Sequence, residues 1–294
     1  MRLAVARAGR GRWSNALFVG PYLTVYAVLL VYPLFAALWL SLHQADFFGA
    51  SRLVGLENFV RLLGDQVFLR TVLNTFYFIL LTVPTLAVAG LGLALALNRR
   101  TRGAAILRAI FFASSVLSVT IVALLWRVMF LPDGGMIANV LKQFGGAPIA
   151  FLSDAQLALP AIAIATIWWC IGLPMMLFLA ALQQVPPELY EAAALDNASW
   201  WRTLCSVTLP AIRRTLVLVL ISEIVLQFQL FGQAQLMTLG GPNNASRPLV
   251  LFIYEVGFDR WDIGYAAAAS QVLFSLILLA AMAQYVLGRR REEP

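Results

Sequence analysis

The chain is built from apolar blocks long enough to cross a bilayer, separated by short polar stretches that carry almost all of its charge. About 20 consecutive apolar residues span the hydrocarbon core as a helix, where every backbone polar group must be satisfied within the protein. Six blocks reach that length: Leu17–Leu42, Thr71–Leu97, Ala109–Leu131, Gln156–Leu182, Thr215–Met237 and Ile263–Leu287. Two charged residues fall inside them, Arg127 near an end of the third and Glu223 in the fifth. Charged residues make up 12% of the chain, against about 25% in soluble domains. The predicted fold is an all-α integral membrane protein with six transmembrane helices. It reads as one domain over residues 1–294, with a core at 71–287 and a polar loop at 186–212.

A net charge of +7 would suit a nucleic-acid binder, but its distribution speaks for topology. Arg2, Arg7, Arg10, Arg12, Arg99, Arg100, Arg102, Arg108, Arg202, Arg213, Arg214, Arg289, Arg290 and Arg291 all fall on one side of the predicted spans. The other side carries Arg52, Arg61, Arg70, Lys142, Arg247 and Arg260. By the positive-inside bias, both termini and the loop around Glu191 are cytoplasmic. No basic stripe is interleaved with exposed aromatics, so no nucleic-acid partner is expected. The basic N-terminus is followed by no A-x-A cleavage site, and the first block reads as a retained span.

Several chemistries lack their residues. The only lysine, Lys142, sits in K-Q-F, outside any G-x-x-x-x-G-K-[ST] phosphate loop. One histidine, His43, makes no metal site alone and is expected in a solvated loop. Neither Cys170, in an apolar block, nor Cys205, in the polar loop, is placed for a disulfide. No catalytic residue, metal site or bound cofactor is expected.

The polar loop is the most informative stretch. Pro186 and Pro187 precede Glu188–Leu195, a run of helix formers, and proline suits a first helical turn. Asp196 and Asn197 interrupt it, both tolerant of left-handed or cap conformations. Either one can cap a second short helix through Ser199, Trp200, Trp201 and Leu204, predicted to end before Leu209-Pro210. The result is a helix–corner–helix projecting from the membrane.

This loop resembles the E-A-A loop of binding-protein-dependent ABC importer permeases: E-A-A, two residues, D-G-A, about nine residues, then I-x-L-P. The matching positions are Glu191-Ala192-Ala193, Asp196, Ala198, Val207 and Leu209-Pro210. Asn197 stands where the family has glycine, and asparagine is the next residue most tolerant of positive φ. Two further stretches resemble the carbohydrate (maltose and glycerol-phosphate) branch. One is Gly55–Phe78, where Phe59, Leu62, Leu63 and Phe68 predict an amphipathic surface helix. The other is Leu236–Phe274, with Gly240-Gly241-Pro242, Tyr254, Phe258 and Gly264-Tyr265-Ala266-Ala267-Ala268. Gly240-Gly241-Pro242 predicts a sharp non-helical turn, and the small run Ala266–Ser270 predicts close helix packing.

The resemblance implies the transmembrane domain of a type I ABC importer, one permease subunit in a bacterial inner membrane. Its implied partners are two ATP-binding cassette subunits holding ATP and Mg, a second homologous permease and an extracytoplasmic solute-binding protein. The implied cargo is a sugar or sugar derivative, moved by alternating access. Glu188, Tyr190, Glu191, Ala192, Ala193, Asp196, Asn197 and Ala198 form the implied ATPase-coupling loop. Glu191 either pairs with a basic group of the ATPase or caps its own helix.

A polar solute path inside spans needs polar and aromatic side chains. The fifth block supplies Glu223, Gln227, Gln229, Gln233 and Gln235; Gln227, Gln229 and Gln233, near its middle or outer half, either bind hydroxyls or bond between helices. Trp168 and Trp169 form an aromatic shelf beside Gly172 and Pro174, or simply pack. Asn74, with Thr75, opens the second span and either binds solute, caps or packs. An ion-coupled secondary transporter is the alternative; it needs a midplane ionisable site, for which Glu223 is the candidate. A membrane enzyme lacks a catalytic constellation altogether.

Overall fold

The computed structural model describes residues 19–45, 49 and 51–289. Arg2, Arg7, Arg10, Arg12, Arg290 and Arg291 and the start of the first block at Leu17 lie outside the described residues. The described chain falls into two compact units, residues 1–64 with 255–272 and residues 65–254 with 273–294.

In the first unit, helix α1 (Val19–Ser41) is apolar on all sides and buries nothing in its membrane-length window. A π-turn at Ala27–Val31 lies just ahead of Pro33, where the wider turn makes room for a ring that cannot donate. Strands β1 (His43–Ala45) and β2 (Ser51–Leu53) pair antiparallel, His43 opposite Leu53. His43 is buried, not solvated as its loop position predicted: its ring stacks 4.4 Å from that of Trp39, and its Nδ1 bonds the Trp39 carbonyl at 2.7 Å. Helix α2 (Glu57–Gly64) buries Asn58 and Leu62, one turn apart, while Leu63 faces outward. The Asn58 amide donates to the Ser41 and His43 carbonyls, both at 3.0 Å, and so tethers the hairpin. The predicted face of Phe59, Leu62, Leu63 and Phe68 is thus corrected. Asp65 ends that helix by capping the next, its Oδ1 accepting from the amides of Val67 and Phe68.

The second unit is organised on helix α3 (Gln66–Leu97). Thr71, Thr75, Phe78, Thr82, Leu86, Gly90, Ala94 and Leu97 recur at three- and four-residue spacing and form its buried face. It is followed by α4 (Arg102–Ser114), α5 (Val119–Met129), α6 (Met136–Gln143), α7 (Ala158–Cys170) and α8 (Gly172–Leu182). The chain continues through α9 (Pro187–Leu195), α10 (Trp200–Ala211), α11 (Arg213–Gln227), α12 (Gly232–Met237) and α13 (Leu249–Tyr254). A last helix, α14 (Ile263–Arg289), runs through residues of both units.

Three of the predicted spans are not single helices. The third is α4 plus α5, bent by 97° across Ser115–Ser118. The fourth is α7 plus α8, bent by 44°, and α10 meets α11 at 73°. The fifth block, predicted continuous over Thr215–Met237, stops at Gln227 and resumes at Gly232. Its restart needs glycine, because a Cβ on Gly232 would lie 2.8 Å from the Val119 side chain on α5. These breaks survive in an apolar setting because distant residues satisfy the freed backbone groups. The hydroxyls of Ser114 and Ser115 donate to the Trp169 carbonyl at 3.3 and 3.1 Å, and the Trp169 indole donates to the Leu117 carbonyl at 3.0 Å. Ser118 then caps α5 through the Ile121 amide. The break in the third span thus faces the break in the fourth.

Candidate functional site

The loop between α8 and α11 forms a helix–corner–helix. Pro187 stands in the first turn of α9, and Asp196 is its C-cap. Asn197 then adopts φ 52°. Its amide donates to the Ala194 carbonyl at 3.1 Å, and the next amide, of Ala198, donates to that of Ala193 at 3.0 Å. This is a Schellman closure with asparagine in the left-handed position. Ser199, not Asp196 or Asn197, caps α10, its hydroxyl accepting from the Arg202 amide at 3.3 Å. Asp196 and Asn197 are already engaged in ending α9. The second helix also runs past Leu209-Pro210 to Ala211, through a π-turn at Leu204–Thr208 that accommodates the proline ring.

The two helices are held together by Ala193, the buried residue of α9, and by Thr208, whose hydroxyl donates to that of Tyr190 at 3.4 Å. Much of the rest of the corner faces out, while Tyr190 is half-buried and Ile212, at the loop's end, is buried. Glu188, Glu191, Ala192, Asp196 and Asn197 are exposed, and Ala198 is half-buried. Glu191 sits mid-helix and makes no hydrogen bond or ion pair among the described residues, so it does not cap α9. Leu195 is 85% exposed, Trp200 60% and Trp201 68%, the two indoles edge to face at 4.6 Å. Exposed apolar groups gathered on one projecting corner mark an interaction surface.

The predicted solute residues separate into groups. Glu223 and Gln227 share one face of α11 and are buried; the Gln227 amide donates to Glu223 Oε2 at 3.0 Å. Cys170 ends α7, at the break before α8. Gln233, on α12, is buried and donates to Thr166 Oγ1 of α7 at 3.4 Å. Gln229, just past the end of α11, points elsewhere: it is exposed and its amide returns to the Val225 carbonyl of that helix. Trp168 packs edge to face on Trp126, centroids 5.9 Å apart, while Trp169 is tied to the Leu117 carbonyl. The Asn74 amide is spent on the carbonyls of Asn244 and Arg247, at 2.7 and 2.9 Å. Beside it, Thr75 Oγ1 accepts from the Leu249 amide at 2.9 Å. Asn74 and Thr75 therefore staple the turn after α12, where Leu239, Gly240, Asn243 and Asn244 all have positive φ.

Sequence reasoning missed Thr166, which meets Gln233, and Ser114 and Ser115, which meet Trp169. Their signal is faint, since single small polar residues in apolar blocks also serve ordinary packing. Among the described residues no group of three or more His, Cys, Asp or Glu is placed to hold a metal.

Broken apolar helices, a buried polar pair where they face one another and a projecting helix–corner–helix define a multi-pass membrane permease. The chain belongs to the family of binding-protein-dependent transport system inner membrane components, which it matches over residues 62–293. It is 31% identical over 278 residues to the trehalose/maltose transport system permease protein MalF of Thermococcus litoralis, covering 94% of each chain. It is 32% identical, with the same coverage, to the sn-glycerol-3-phosphate transport system permease protein UgpA of Salmonella choleraesuis. Its fold matches a chain of a bacterial alginate ABC transporter solved with an alginate pentasaccharide-bound periplasmic protein, at a TM-score of 0.86 and 21% identity over 98% of both chains. The fold is that of a type I ABC importer transmembrane domain. The ion-coupled alternative finds no support in these comparisons.

Proposed function

We propose that this chain is one of two permease subunits of an ATP-driven importer that carries a sugar or sugar derivative into the cytoplasm. Residues 1–294 act as one permease domain, with both termini and the Glu191 loop on the cytoplasmic side. The solute is delivered from outside by a solute-binding protein. Two ATP-binding cassette subunits, which hold ATP and Mg, dock on Glu188, Tyr190, Glu191, Ala192, Ala193, Asp196, Asn197 and Ala198. A second, homologous permease completes the path.

The observation that carries this reading is the Schellman-closed corner, which holds out Glu191, unpaired among the described residues, and an apolar tip. A rigid corner suits the transmission of force, because movement of the ATPases passes into α11 rather than into the loop. That helix carries Glu223 and Gln227, whose polar groups suit sugar hydroxyls once the breaks in α4–α5 and α7–α8 part to open a path. Gln233 and Trp168 flank the same region. Gln229, Trp169 and Asn74 support it structurally, since their polar groups are bonded to backbone.

The test is uptake of labelled mono- and disaccharides into vesicles carrying this chain, its sister permease, the ATPase and the binding protein. ATP-dependent uptake that requires the binding protein is expected. Uptake by this chain alone, driven by an ion gradient without ATP, would overturn the proposal.

A further inference from the structure

A cavity of about 460 Å³ opens between the end of α5, the segment ahead of α7 and the end of α12. Its lining brings Arg127, Ser153, Gln235 and Thr238 together with the apolar walls Phe130 and Leu152. Arg127 is exposed at the mouth of this cavity and has little to hold it within the chain. Its Nη1 reaches the Leu236 carbonyl only at 3.5 Å, and no carboxylate pairs with it among the described residues. Asp154, next to Ser153, is already engaged: its Oδ1 accepts from the amides of Gln156 and Leu157 at 2.7 and 3.1 Å. Gln235, half-buried, and Ser153, exposed, line the cavity and make no side-chain hydrogen bond among the described residues.

A guanidinium at the end of an apolar segment is costly unless water or a counter-charge meets it. Its planar fork matches the two oxygens of a carboxylate or phosphate. We propose that this cavity is an oxyanion site, taking a carboxylate or phosphate through Arg127 with Gln235 and Ser153 as flanking donors. That anion is presented by the transported solute or by a lipid headgroup. The solute case rests on the transport reading and makes the cargo an acidic or phosphorylated sugar.

The test follows the rate at which phenylglyoxal modifies Arg127, mapped by peptide mass spectrometry, with the exposed Arg99 as internal control. The full complex is held in neutral maltoside micelles and given glucuronate, glucose 6-phosphate, glucose or phosphatidylglycerol. Glucuronate or glucose 6-phosphate is expected to slow Arg127 labelling about tenfold at roughly ten times its dissociation constant, with Arg99 unaffected and glucose without effect. Slowing by phosphatidylglycerol but by neither sugar anion also supports the oxyanion site and assigns it to lipid. Equal protection by glucose, or protection by no probe, overturns it. Binding-protein-stimulated ATPase activity is read on the same samples. Normal stimulation with an unprotected Arg127 rejects this site alone, whereas protection without ATPase coupling rejects the importer reading alone.

Discussion

The amide of Ala198 closes on the carbonyl of Ala193 at 3.0 Å, and this contact turns the chain through the left-handed Asn197 between α9 and α10. An L-residue other than asparagine, aspartate or glycine costs about 1–2 kcal/mol in that conformation. Asn197→Gly is expected to keep both the corner and ATPase coupling. Asn197→Val is expected to loosen the corner and uncouple ATP hydrolysis from the binding protein while the spans stay folded. Full coupling in Asn197→Val would show that the corner need not be rigid.

Two glycines of α3 make a matched pair. A Cβ on Gly90 would lie 2.9 Å from Pro174 Cβ on α8, whereas one on Gly92 meets nothing within 4 Å. Gly90→Leu overpacks this crossing and is expected to cost about 1–3 kcal/mol or more. Gly92→Ala is expected to be neutral or to gain up to about 1 kcal/mol from helix propensity. Thermal unfolding of the two variants in detergent checks the difference.

Trp169 tests whether an aromatic shelf near the path is structural. Trp169→Phe keeps a ring but leaves the Leu117 carbonyl without its donor at the α4–α5 break, costing about 1–3 kcal/mol. Lower thermal stability with normal uptake per assembled complex is expected. Normal stability with lost uptake would assign Trp169 to the solute instead.

Much of this architecture is legible in the residues, and the losses have physical causes. Asn197 announces the corner because few residues accept positive φ, and Gly240-Gly241-Pro242 announces the turn after α12 because glycine and proline break a helix. The breaks at Ser115–Ser118 and after Gln227 stay hidden because hydropathy continues across them. What permits them is a set of bonds between residues far apart in the chain, such as Ser115 to Trp169. His43 reads as a loop histidine until Trp39, one turn earlier, is seen to cover it. Ser199 was obscured by Asp196 and Asn197, better-looking caps that the end of α9 had already taken. In the candidate path, Glu223 and Gln227 were legible from spacing alone, but Gln229 and Asn74 were not separable from them. Polarity says nothing of which carbonyl an amide will find.

The buried pair on α11 is the clearest candidate for solute contact. Gln227→Leu leaves Glu223 Oε2 without its 3.0 Å donor and costs about 1–3 kcal/mol. Uptake per assembled complex is expected to fall about tenfold, beyond any loss of stability, if the pair meets the solute. An unchanged uptake rate would assign the pair to helix packing.

The central claim is that the Glu191 corner couples this chain to its ATPases. The direct measurement is ATP hydrolysis by the purified complex with loaded binding protein, comparing the unaltered chain with Glu191→Ala. Glu191 is exposed and makes no bond within the described chain, so its removal is expected to leave the fold and assembly intact and to abolish the stimulation. Equal stimulation in Glu191→Ala would contradict the account.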